Sequence, residues 1–132
     1  MKNIVIIYFL GFLFLGLSQD IIGQDDQGKI EIVNPEDSVE YEIIILDVKF
    51  DSYLISIAKP MEFYSIEHYK SWNTMYVKTW NARHSNPIRF GDFYDSHIDY
   101  DPFTDYGLEL NYKLYNYFKF IEYEYKIDLN VR

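Results

Sequence analysis

Leu108 to Ile127 reads LELNYKLYNYFKFIEYEYKI, and two periods compete in it. Leu108, Leu110, Tyr112 and Leu114 alternate as a half-buried strand would. Glu109, Lys113, Asn116, Lys119, Glu122 and Lys126 instead recur at spacings of 4, 3, 3, 3 and 4, which draws a polar face on a helix. Glu109–Lys113 and Glu122–Lys126 are also i,i+4 pairs with the acid first, the favourable order. The polar period decides for a helix over Leu108 to Lys126. Asp105 is placed to cap it, with Gly107 in the turn before it.

Working toward the N-terminus, Ser85 to Tyr106 is a long connection that carries Asn86, Pro87, Gly91, Pro102 and several Asp. Phe90, Phe93, Tyr94, Tyr100 and Phe103 are too many aromatics for a disordered segment, so the loop is expected to pack down against the preceding helix. An Arg83 or Arg89 ion pair to one of its Asp residues would hold it. That preceding helix begins at Ser65, a capping residue, with Glu67 in the first turn. Tyr69, Trp72, Tyr76, Trp80 and Arg83 fall on one stripe, which makes Trp80 a core residue. Arg83 and His84 occupy the last turn, and Asn86-Pro87 ends the helix.

Asp51 looks like the cap of a short helix over Ser52 to Ala58, stopped before Pro60. Tyr41 to Phe50 (YEIIILDVKF) is the best strand, and its run from Ile43 to Leu46 suggests burial on both faces. Gln24 to Glu40 is polar, with Gly28 and Pro35, and reads as a flexible arm. A short strand over Ile30 to Val33 fits inside it, and Pro35 interrupts pairing. The fold class is therefore α+β. Two main helices pack on each other and on a short strand or small sheet at Glu42 to Asp47, with a long packed aromatic loop.

Residues 1–18 read as a signal peptide, with an alternative end at residue 23. Lys2 supplies the positive end, and Ile4 to Leu17 is an uncharged apolar run too short to span roughly 30 Å of hydrocarbon. Gly16 and Ser18 suit cleavage before Gln19, and Gly23 suits cleavage before Gln24. The flexible arm then covers residues 19–40 and a single globular domain residues 41–132. The protein is expected to be exported, periplasmic or cell-surface associated, with no stable membrane anchor after cleavage.

The chain has 132 residues and a net charge of −9. Loss of residues 1–18 would remove Lys2 and no acid. A charge of that sign repels phosphate backbones, and no basic cluster offsets it, so nucleic acid is not an expected partner. There is no cysteine, hence no disulfide framework, thiol nucleophile or N-terminal lipidated Cys. The 14 Tyr, 10 Phe and 2 Trp supply core area instead, at roughly 150 to 250 Å² for each buried ring.

Three segments together carry a resemblance: Tyr41 to Asp47 (YEIIILD), Pro60 to Tyr76 with Asn81 and Arg83 in TWNARHSNP, and Tyr106 to Glu122 (YGLELNYKLYNYFKFIE). They resemble a family of small exported proteins from Bacteroidota, a domain of unknown function. The resemblance covers about 90 residues and implies export; it assigns no activity and no functional residue. Many members of that family end their leader in a lipoprotein Cys, which this chain lacks.

Few constellations carry chemistry. Asp99, Asp101 and Asp105 imitate the first positions of a calcium loop. Phe103, Thr104 and Leu110 then stand where a ligand, the turn glycine and the bidentate Glu belong. With Asp92 and Asp95 the loop holds five carboxylates, enough for an irregular cation site; as turn formers and caps they would face water instead. His68, His84 and His97 show no metal-ligand spacing. A His84–Asp99 or His97–Asp95 pair would give a hydrolase its acid and base. Trp80, Asn81, Arg83 and His84 form the densest mixed cluster. The candidate ligand or partner surface is therefore Arg83, His84, Arg89, Asp95, His97, Asp99, Asp101 and Asp105, with no cofactor and no metal assigned. The leading functional expectation is a non-enzymatic protein-interaction or structural component with an envelope protein as partner. The alternative is a carbohydrate or small-ligand binding module, followed by a His–Asp hydrolase.

Overall fold

The structure is a computed structural model that describes residues 27–35 and 40–130; the expected leader lies outside the described residues. β1 (Ile30–Val33) and β2 (Glu42–Ile45) form a two-stranded antiparallel sheet. Helices α1 (Lys49–Ser56), α2 (Ile66–His84), the four-residue α3 (Pro87–Phe90) and α4 (Gly107–Tyr125) follow, with a 3₁₀ turn at Met61–Phe63. The α+β expectation holds.

Both long helices form within a residue or two of their expected bounds. Ser65 keeps an extended backbone, and its hydroxyl accepts the His68 N–H at 3.2 Å, satisfying one of the four orphan donors of the first turn. α2 and α4 pack along each other. Tyr69, Tyr76 and Trp80 from one helix and Leu114, Tyr117, Phe118 and Ile121 from the other are buried. Trp80 meets Tyr117 edge-on at 5.8 Å, an arrangement that aromatic quadrupoles favour. A polar network crosses the interface. Asn73 Nδ2 donates to the Asn111 carbonyl at 2.9 Å, the Tyr100 hydroxyl donates to Asn111 Oδ1 at 2.8 Å, and Asn111 Nδ2 donates to the Gly107 carbonyl at 2.9 Å.

The polar period that identifies α4 is not a solvent face throughout. The Glu109–Lys113 pair forms at 2.9 Å. Asn116 is buried, with its Nδ2 donating to the Tyr112 carbonyl at 2.9 Å. Glu122 turns to Lys119 at 3.3 Å and accepts the Tyr76 hydroxyl at 3.0 Å, instead of pairing with Lys126. The reason is local: Lys126 has already left the helix with φ +56, so the i,i+4 geometry no longer applies.

In the sheet, Ile30 stands opposite Ile45 and Val33 opposite Glu42. Ile30 is buried, so this part of the expected flexible arm belongs to the core. Gly28 precedes it at φ +73, where a Cβ would lie 1.7 Å from the Phe93 carbonyl oxygen; only glycine fits this approach. β2 departs from the expectation of burial on both faces: Ile44 and Leu46 are 39% and 48% exposed. Among the described residues the helices cover one side of this two-stranded sheet and none covers the other. The first short helix also begins earlier than expected. Asp47 Oδ1 accepts the Lys49 N–H at 3.0 Å, which leaves Asp51 within the first turn rather than capping it. Phe50 then packs edge-on against Tyr117 and Phe120 of α4.

The loop after α2 is held down as expected, but by side chains of α2 bonding to its backbone. Trp80 Nε1 donates to the Ser96 carbonyl at 2.7 Å. Asn81 grips Ile98 twice, donating to its carbonyl at 2.9 Å and accepting its N–H at 2.8 Å. The Ser96 hydroxyl in turn donates to the Ile30 carbonyl at 2.6 Å and so ties the loop to β1. Tyr94 and Ile98 are buried, whereas Phe103, expected among the anchors, is 95% exposed.

Candidate functional site

The residues proposed from sequence divide between the two ends of the loop. At the last turn of α2, Arg83 Nη1 donates to the Tyr94 hydroxyl and Nη2 to the Asp128 carbonyl, both at 2.8 Å. The guanidinium also lies over the Phe90 and Tyr94 rings. His84 Nδ1 sits 2.6 Å from the Tyr94 carbonyl, and because a carbonyl only accepts, that nitrogen carries the proton. The His97 ring lies 6.2 Å from that of His84. Arg89 lies over Phe90 rather than against an acid. Among the described residues neither arginine has a carboxylate partner, contrary to the expected ion pair: the Tyr94 hydroxyl and the Asp128 carbonyl take the Arg83 donors.

Of the loop acids, Asp95 and Asp99 are exposed. Asp101 organises a turn, accepting the Phe103 N–H at 2.9 Å and the Thr104 hydroxyl at 3.1 Å. Asp105 accepts the Gly107 N–H at 3.2 Å at the start of α4, as its position suggested. No group of three or more His, Asp or Glu among the described residues is placed to hold a metal. No histidine among them is bonded to a carboxylate.

A concave surface among the described residues lies elsewhere. A groove of about 570 Å³ runs between β2 and the first turns of α4. Glu40, Tyr41, Glu42 and Ile43 form one wall, and Asp105, Tyr106, Glu109 and Lys113 stand on the other. Tyr41 and Tyr106 touch edge-on at 4.8 Å across it, and Tyr106 stacks on Tyr100 at 5.2 Å. Burial pushes the Tyr100 phenol up to about 12, so it stays a neutral donor to Asn111 behind the groove. Among the described residues four carboxylates thus line the groove against one ammonium, and Glu109 already holds that ammonium at 2.9 Å. Of these residues only Asp105 stood in the sequence-derived set. From sequence, Glu40 falls in the flexible arm, Tyr41 to Ile43 in a strand, Tyr106 in the loop, and Glu109 and Lys113 in a helical ion pair; the alternation of Glu40, Glu42 and Ile44 is the signal of an outward face.

No helix among the described residues is long and apolar enough to cross a membrane. Neither a curated protein nor a solved structure significantly matches the chain. A family of unknown function, DUF6146, matches residues 4–132, nearly the whole length. The strand, the two long helices and the loop latched between them therefore all lie inside the matched region, and the chain belongs to that family.

Proposed function

We propose that the chain is an exported envelope protein, periplasmic or cell-surface associated, that acts as a non-enzymatic interaction or structural component. One observation carries this reading. Ile44 on β2 and Leu46, whose N–H carries the ladder one residue further to Lys29, are 39% and 48% exposed, and Val48 in the turn that opens α1 is 84% exposed. Alternate strand positions share a face, so Ile44 and Leu46 stand together on one side of the sheet, and Val48 follows them two residues on as a third exposed apolar side chain. Such a group on a strongly acidic surface suits a partner that covers it. Export is supported by the apolar run Ile4 to Leu17 behind Lys2 and by the resemblance to exported Bacteroidota proteins.

A photo-crosslinking residue placed at Leu46 or Val48 in cells is expected to give discrete protein adducts, with none from the same residue at Lys78 on the exposed side of α2. Absence of adducts at both Leu46 and Val48 would sink the interaction reading. Recovery of the processed chain from the cytoplasm would sink export.

The small-ligand reading stands second. A recess of about 150 Å³ is lined by Tyr53, Tyr64, Tyr69, Tyr112, Tyr115 and Lys119, which offers aromatic faces beside an ammonium. It is smaller than the roughly 300 to 1,000 Å³ of usual ligand pockets. A monosaccharide panel that leaves the tyrosine fluorescence unchanged would remove this reading.

A further inference from the structure

We infer that the edge of β2 left unpaired by the described residues pairs with an extended, basic segment of a partner protein seated in the groove beside it. This rests on the interaction reading above and names the chemistry of the partner.

The hydrogen-bond alternation of the sheet identifies the free groups. Leu46 N–H donates to the Lys29 carbonyl at 3.2 Å, and these residues stand directly opposite each other in the register. Antiparallel pairs alternate between exchanging both bonds and exchanging none. Glu31–Ile44 and Val33–Glu42 are therefore bonded pairs, while Ile30, Ile32, Ile43 and Ile45 turn their N–H and C=O groups away from the partner strand. At β1 the Ser96 hydroxyl meets both outward groups of Ile30, at 3.3 and 2.6 Å. At β2 no described residue bonds the outward groups of Ile43 or Ile45. An unpaired edge is a template for another strand, and main-chain bonds then supply much of the affinity.

The groove gives that strand room and selects its charge. It runs along Glu40 to Ile43, so a segment paired to β2 would lie with side chains toward Asp105 and Glu109. Among the described residues its walls carry Glu42, Asp105 and Glu109 beside Glu40, and the one cation they include, Lys113, is engaged by Glu109. Side chains on one face of a strand recur every second residue, so alternate Lys or Arg would meet this wall. A second copy would bring another Glu40 and Glu42 to the same edge, on a chain of net charge −9. Residues 19–26 (QDIIGQDD) of the chain itself carry three Asp and no cation, so they are repelled as well.

The test uses the full chain and three capped ten-residue peptides. The first alternates lysine with threonine, the second replaces lysine by glutamate, and the third is the lysine peptide N-methylated at every second amide. The lysine peptide is expected to bind in calorimetry and to slow amide exchange at Ile43 and Ile45. The glutamate and N-methylated peptides are expected to bind at least tenfold more weakly. Glu42→Lys combined with Glu109→Lys should weaken the lysine peptide at least about fivefold, and added salt should weaken it further. Equal binding of the N-methylated peptide would reduce the effect to ion attraction and overturn strand pairing. Equal binding of the glutamate peptide, or unchanged exchange at Ile43, would overturn it too. Concentration-dependent dimerisation that protects Ile43 would make a second copy the occupant and overturn the basic partner. Adducts at Leu46 and Val48 alongside failure of all three peptides would leave the interaction reading standing and remove only this partner chemistry.

Discussion

The loop from Phe93 to Tyr106 and the edge of β2 are both acid-rich and both flank the long helices, yet their polar groups end differently. In the loop, α2 supplies donors and an acceptor: Trp80 reaches Ser96, Asn81 holds both backbone groups of Ile98, and His84 and Arg83 reach Tyr94. Its acids serve turns, as Asp101 and Asp105 do, or face water. At the β2 edge the facing groups are mainly carboxylates, which cannot donate to the outward carbonyls of Ile43 and Ile45. A density of acids therefore marks neither a site nor its absence. What separates the regions is whether the neighbouring element carries the complementary hydrogen-bonding groups.

If the loop end is structural, loss of its packing should be felt by the whole fold. The largest expected effect is alkaline unfolding. Burial pushes Tyr100 and Tyr115 up to about 12, and Tyr76 and Tyr117 are raised further, chiefly by burial. Below the ordinary tyrosine value of about 10 all are neutral in both states and the fold is unaffected. Above it the unfolded chain loses protons that the folded chain retains, so stability falls as pH rises through 10 to 12. Absorbance of phenolate near 295 nm should lag behind free tyrosine and then rise together with the loss of circular dichroism. A smooth titration centred at 10 with the fold intact would show the rings to be open.

Next in size is Trp80→Ala. The side chain is fully buried, contacts Phe93, Tyr94, Tyr117 and Phe118, and donates to Ser96. Its truncation should cost about 3 to 5 kcal/mol in denaturant unfolding. Trp72→Ala, on the same stripe but half-buried, should cost less. Equal losses would mean the loop adds nothing to the environment of Trp80.

Asn81→Ala isolates the latch from the packing. It removes both bonds to Ile98 and should cost about 1 to 3 kcal/mol. Exchange of the Ile98 amide should accelerate more than that of amides in the middle of α4. Uniform acceleration would show that the loop and helices open as one unit rather than the loop first.

Much of this was legible because it depends on local pattern. Ser65 and the stripe to Trp80 mark α2, and the polar spacing from Glu109 marks α4 against a competing strand period. The aromatic content of the loop implied packing. What escaped depends on partners distant in sequence. Gly28 reads as a linker glycine until Phe93 is placed against it. Ile43 to Leu46 reads as a central strand until the sheet proves to have two strands. Glu122 reads as a partner of Lys126 until Tyr76 brings its hydroxyl to the carboxylate. The groove escaped for the same reason: Glu40, Glu42 and Glu109 are ordinary surface acids in one dimension and face one groove only when β2 lies beside α4.

The smallest expected effects are the sharpest test of the comparison. Asp99 and His97 are exposed and have no hydrogen-bond partner among the described residues. Asp99→Asn and His97→Gln should each change stability by no more than about 0.5 kcal/mol, the range of substitutions away from structural features. Asp101→Asn should exceed both, because the Phe103 N–H and the Thr104 hydroxyl each bond a different oxygen of that carboxylate. Calcium should leave the melting temperature of the parent protein unchanged, since an ion bound only by the folded state would raise it in proportion to RT ln(1 + [L]/Kd). A calcium-dependent rise that Asp99→Asn abolishes would turn the loop into a ligand site. The contrast with the β2 edge would then fail, because the loop acids would be serving a ligand rather than turns and water.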